Sequence, residues 1–217
     1  MLFRPANPYD HERLTDKNIQ NYILSSNLNY SDISLKSVNK LAIQPFLQND
    51  LRKNSENCSI TSIATCVNYY CSRTCDINEI YAVTETIANN YFYDPAKFGT
   101  MPFFIKTIYD QDLKYFQKPK VIKSKYIKHL GFSFKTIKQQ IDNKHPVILS
   151  LYTDNRNFYR SHTVVIIGYA QFNLFNSETT LFEKKKVKNM LLVYDNWSKE
   201  ISYIDPDVLS PISSIVF

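Results

Sequence analysis

From residue 58 the apolar positions Ile60, Ile63, Ala64, Val67, Tyr70 and Cys71 recur at steps of three and four, the stripe of an amphipathic helix. "DINEIYAVTETIANNYF" follows, and Asp76 with Glu79 forms a capping-box pattern that predicts a second helix. "GTMPFFIKTIYDQDLKYF" reads as a third, with Thr100 as N-cap and Pro102 in the first turn. "SFKTIKQQIDNK" (133–144) is a short fourth. The pattern then changes. "HPVILSLY" (145–152), "HTVVIIGYAQF" (162–172) and "NMLLVYDNW" (189–197) are β-branched and aromatic runs between polar turns, which predicts strands, and "ISYI" and "ISSIVF" add two more. Helices first and strands after is the α+β pattern: helices packed on a mainly antiparallel sheet. Residues 1–45 are more polar, with helical hints in "DKNIQNYILSS" and "SDISLKSVNKL". They read as an N-terminal extension, propeptide-like or packing on the main domain at 46–217.

The chain has 217 residues, 44% of them hydrophobic and 21% charged, enough for one substantial core. No apolar run approaches the roughly 20 residues of a membrane span. The N-terminus "MLFRPANPYDHERLTDKN" has no apolar segment of the secretory kind, so the expected compartment is the cytosol, or outside the cell if a leader has been removed. Net charge is +6, which raises nucleic acid as a partner. The lysines are spread out, however. The densest runs, "KPKVIKSKYIKH" (118–129) and "EKKKVK" (183–188), read as an exposed strand and a loop tip, without a groove-reading motif. No nucleic-acid partner is expected. The four cysteines, at 58, 66, 71 and 75, are too clustered to staple the chain, although a local Cys71–Cys75 bridge fits the spacing. C-x7-C-x4-C-x3-C lacks the close pair of a zinc site, so no metal is expected.

One of those cysteines stands apart. Cys58 begins the first strong helix, nearly opposite the Ile60–Ile63–Ala64–Val67 stripe and on the side of Ser62, Thr65 and Tyr69. A core cysteine belongs within the stripe. A helix N-terminus also favours a thiolate, through its free N–H groups and its dipole. A thiolate needs a proton carrier, and of the four histidines only His162 opens an apolar strand, directly after the polar loop "TDNRNFYRS". The next long strand ends in "YDNW", where Asp195 could accept from an imidazole and Trp197, the single tryptophan, could shield the contact. Each residue alone has a structural explanation; the three in this order point to a nucleophile, a base and an orienting group.

That order resembles the papain-like cysteine peptidases, and more closely the bacterial C39-like branch. The matching segments are the cysteine-headed helix running into "NYY", then "PVILSL…HTVVIIGY", then "VYDNWS…YID", about residues 45–205. The resemblance implies a papain-like fold with Cys58 as nucleophile, His162 as general acid/base and Asp195 as orienting residue. It also implies an oxyanion-hole glutamine about six residues before the cysteine, where this chain has Arg52. Gln48 fills that role if the loop is lengthened; Asn54 and Asn57 are the other candidates. Ser59-Ile60-Thr61 stands where the family usually has a small residue followed by Pro-Thr.

The expected function is therefore a cysteine peptidase or amide hydrolase acting on a peptide, a protein or another amide through a thioester, with no cofactor. An acyltransferase or amidase on the same fold, and an inactive papain-like binding domain, are the alternatives. Oligomeric state is not legible.

Overall fold

The computed structural model describes residues 12–52, 56–71, 74–97, 99–117, 124–128, 133–151, 159, 161–176, 186–210 and 213–217. Among them are six α-helices and seven β-strands. The helices are α1 (Ile19–Ser25), α2 (Gln48–Leu51), α3 (Cys58–Tyr70), α4 (Ile77–Ala88), α5 (Pro102–Tyr115) and α6 (Phe134–Asp142). The strands are β1 (Asp32–Lys40), β2 (Tyr126–Lys128), β3 (Val147–Leu151), β4 (His162–Phe175), β5 (Lys186–Tyr194), β6 (Ser202–Ile204) and β7 (Ser214–Val216). All strand pairs are antiparallel. The fold is α+β, with the cysteine-headed helix packed on an antiparallel sheet.

The sheet runs β2-β7-β3-β4-β5-β6, and β1 joins β4 off that path. β4 is long enough to need two partners along one flank. β3 pairs with its first residues (Leu151 with His162, Val147 with Ile166), and β1 takes over from Gly168 to Phe175. The changeover is tight: a Cβ on Gly168 would lie 2.3 Å from the Asn39 carbonyl, so only glycine lets β1 approach there. The segment "SDISLKSVNKL", which reads as helical on its own, is thus a strand. The unsatisfied N–H and C=O groups along β4 outweigh its weak local period.

α3 departs from its expected form in one respect. Ser59 through Asn68 are all buried, including the polar side that periodicity assigned to solvent. The helix is enclosed by α4, α5 and the sheet, so its serines and threonines must find partners inside the protein. Ser59 Oγ meets Thr163 Oγ1 at 3.0 Å, Ser62 Oγ donates to the Thr163 carbonyl at 3.2 Å, and Thr65 Oγ1 donates to the Thr61 carbonyl. The first two bonds fasten the start of α3 to the start of β4.

Other details differ by a residue or two. Asp76 caps α4, its side chain accepting from the Asn78 N–H rather than forming the expected box with Glu79. α5 is capped at Met101, with Pro102 in its first turn, and not at Thr100, whose hydroxyl is buried without a partner. β5 begins within the supposed loop tip: Lys188 is buried and pairs with Asp205 at 2.7 Å and Asp207 at 2.6 Å. Asp205 also accepts from the Tyr22 hydroxyl, which ties α1 to this network. Residues 183–185 of that run, and 118–123 and 129 of the other basic run, lie outside the described residues. All four cysteines are free thiols, so no Cys71–Cys75 bridge forms. No described helix is long and apolar enough to cross a membrane.

Candidate active site

Cys58 is the first residue of α3, and His162 is the first residue of β4. Asn57 sits at the N-cap but makes no side-chain bond to the first turn. Its amide nitrogen donates instead to the Gln48 carbonyl at 3.1 Å and the Tyr81 hydroxyl at 2.9 Å. The N-terminal N–H groups of α3 therefore keep their positive field at Cys58.

The thiol and the imidazole each act on the other's ionisation. Burial pushes the Cys58 thiol up, but His162, with the Thr163 N–H and hydroxyl, more than offsets it, and the net shift is downward. Burial pushes His162 down, yet Cys58 and the Asp195 main chain pull it above its ordinary value. The two shifts favour thiolate and imidazolium together.

The imidazole is held on two sides. Its Nε2 lies 2.7 Å from the main-chain carbonyl of Asp195. A carbonyl can only accept, so Nε2 must carry the proton, and Nδ1 is the nitrogen left for the thiol. Trp197 stacks on the ring with centroids 4.0 Å apart, and Tyr159 lies nearly parallel to it at 5.8 Å. Trp197 is 45% exposed while His162 is 6% exposed, so the indole forms an outer wall over the imidazole.

The Asp195 carboxylate faces elsewhere. Oδ1 accepts from the N–H groups of Trp197 and Ser198, both at 3.0 Å. Oδ2 accepts from Arg13 Nε at 2.6 Å, the Tyr159 hydroxyl at 3.0 Å and the Ser202 hydroxyl at 3.2 Å. The expected contact from this side chain to the imidazole does not form, because β5 ends at Tyr194. The chain turns at Asp195–Asn196, and Asn196 takes a left-handed conformation at φ 63° that asparagine tolerates.

Asn196 is itself a buried clamp. Its Nδ2 lies 2.8 Å from Ser62 Oγ, 3.0 Å from the Thr163 carbonyl and 3.2 Å from the Cys58 carbonyl. Its own carbonyl accepts from the Gln48 N–H at 2.9 Å. Gln48, at the start of α2, is thereby tethered next to the head of α3 by its N–H and its carbonyl, and its side-chain oxygen is buried without a partner. Of the two other oxyanion candidates, Asn57 has its amide engaged as described, and Asn54 lies outside the described residues.

Sequence reasoning missed Arg13, Tyr159, Thr163 and Asn196. Only Asn196 carried a local signal, since an Asp-Asn pair at a strand end marks a turn.

A thiol and an imidazole set between a buried helix and an antiparallel sheet form the layout of the papain-like cysteine peptidases. Residues 40–202, about three quarters of the chain, match the sequence profile of the Peptidase_C39 like family, and the chain belongs to that family. Membership assigns it a cysteine-peptidase type of function. Comparison with curated proteins gives no match.

Proposed function

We propose that the protein is a cysteine peptidase or related amide hydrolase that works through a thioester on Cys58. The carrying observation is the Cys58–His162 pair, with the thiol shifted down and the imidazole up at an uncapped helix N-terminus. The thiolate attacks a peptide or amide carbonyl carbon, and the carbonyl oxygen takes up negative charge. His162 gives its Nδ1 proton to the leaving amine as the C–N bond breaks, leaving the acyl group on sulfur. The neutral imidazole then takes a proton from water, the resulting hydroxide attacks the thioester, and the thiolate leaves with the acid released. Asp195 serves as the third member through its main-chain carbonyl, which fixes the tautomer this proton traffic requires. The Cys58 N–H and the Gln48 side chain are assigned to the oxyanion, where one donor is typically worth about 2.7–4 kcal/mol.

The test is incubation with an epoxysuccinyl peptide followed by mass mapping. A single adduct on Cys58, absent in His162→Ala, is the expected result. Adducts spread over several cysteines, or none at Cys58, would refute the reading.

A further inference from the structure

The Asp195 carboxylate is fully buried, yet it does not touch the imidazole that its own carbonyl holds. Five donors converge on it, and among the described residues Arg13 is its ion-pair partner. Arg13 lies 182 positions away and outside the family-matched span of 40–202. Its guanidinium also donates through Nη2 to the Glu200 carbonyl at 3.0 Å, so it bridges the two ends of the turn that carries Trp197. The chain around Arg13 is anchored: Leu14 bridges to Tyr203, and the Tyr203 N–H donates to the Leu14 carbonyl at 2.8 Å.

We infer that Arg13 is a positioning residue for the reaction: by neutralising and orienting the Asp195 carboxylate, it sets the Asp195 carbonyl on His162 Nε2 and Trp197 over the ring. The cause is electrostatic. A carboxylate cut off from water requires a compensating charge, and its removal leaves an unpaired buried ion that the turn must move to rehydrate. The same turn carries the carbonyl and the indole, so the imidazole loses both supports together. Asp195→Asn is not a neutral substitute in this setting, because it puts an N–H2 group among donors that need an acceptor.

The inference rests on the reading of Cys58 and His162 as the reacting pair, and its test separates the two. Full-length wild type, Arg13→Ala, Arg13→Lys and a control at an exposed lysine, Lys97→Ala, are compared, with thermal melts to confirm folding. Turnover on a fluorogenic peptide is measured beside the downfield proton resonance of the His162 Nε2–H, assigned with His162→Ala. Arg13→Ala should lower kcat by about 10- to 100-fold with KM changed less than about twofold, the size expected from a small misplacement of a reacting group. The ring N–H signal should broaden through exchange with water. Arg13→Lys should restore part of both, and Lys97→Ala should match wild type. If Arg13→Ala does not fold, Arg13→Gln, which keeps a donor without the charge, is read in the same way. Wild-type kcat and an unchanged resonance in a folded Ala or Gln variant would overturn the inference. A wild type without turnover would count against the peptidase reading alone, since the resonance still reports on Arg13.

Discussion

Cys58 and Cys66 lie on one helix, just over two turns apart, and burial pushes both thiols toward the neutral form. At Cys66 nothing opposes it: its neighbours include Tyr70 and Tyr109, and the thiol is raised far above its ordinary range. At Cys58 the sheet supplies His162 and Thr163, and the shift reverses. Two buried carboxylates also differ in the partners they are given. Asp195 receives five donors, whereas Asp112 on α5 has Thr84 as its partner, has its Oδ1 unpartnered, and is pushed up to about 7 by burial. What distinguishes the site is therefore not burial but the partners that distant elements bring to it.

The sharpest way to break the comparison is to remove each thiol. Cys58→Ala and His162→Ala should each cut turnover by about 10³-fold or more, because members of a nucleophile–base pair act as a unit. Cys66→Ala should leave turnover intact and cost about 1 kcal/mol of stability for the small cavity. In wild type, kcat/KM should rise with pH as Cys58 ionises below the ordinary thiol range. It should fall again as His162 loses its proton above the ordinary imidazole range, both limbs belonging to the coupled pair. Alkylation by iodoacetamide at pH 6 should mark Cys58 far faster than Cys66, which is buried, and His162→Ala should slow the labelling of Cys58 sharply. Equal rates for the two cysteines would end the distinction between them.

Removing residues 1–40 separates local from distant support. The segment supplies β1 along β4, the α1 contact to Asp205, and Arg13 on Asp195. Its loss exposes the flank of β4 from Gly168 to Phe175 as an unpaired edge. We expect an insoluble or unfolded product, measured by recovery and circular dichroism. A soluble fragment with raised turnover would mean that the segment acts as an inhibitory strap.

Much of this arrangement is legible in the sequence. Apolar periodicity marks α3, cap signals mark α4 and α5, and β-branched runs mark β3, β4 and β5. Cys58 and His162 were visible because each starts an element, and element starts leave a composition signal. β1 was misread because its identity depends on an unpaired β4 far along the chain. The orientation of Asp195 is not legible in the sequence, because it depends on β5 ending at Tyr194. Arg13 had no signal at all: one arginine in a polar segment looks like any other until the fold closes on it.

Asn196→Ala is the next test in size. Taken as the outward-facing neighbour of Asp195 on a continuing strand, Asn196 would be dispensable. As a clamp joining Cys58, Ser62 and Thr163, it should cost about 1–3 kcal/mol when truncated, since the acceptors it serves are buried. Thermal unfolding at fixed pH gives the number. A shift within error would mean that α3 and β4 hold together without it.

The smallest effect concerns Asp112, and it should be silent in acid. Thr84 Oγ1 already reaches the Ile80 carbonyl at 2.8 Å, so its one proton has a destination. The oxygen can then accept from a protonated Asp112, an arrangement that an ionised carboxylate cannot make. With the folded pKa near 7 and the ordinary value at 3.8, protonated Asp112 contributes stability that is complete below about pH 4. That contribution fades as pH rises toward 7, and above it a charged group sits buried with one partner. Asparagine at 112 keeps the shape of the protonated acid at every pH, with its amide donating to Thr84. Asp112→Asn should therefore melt like wild type near pH 4 and a few degrees higher at pH 8, with turnover unchanged at both. A melting difference that does not vary with pH would show that Asp112 keeps its charge in the fold, and that α4 and α5 accommodate it by another route.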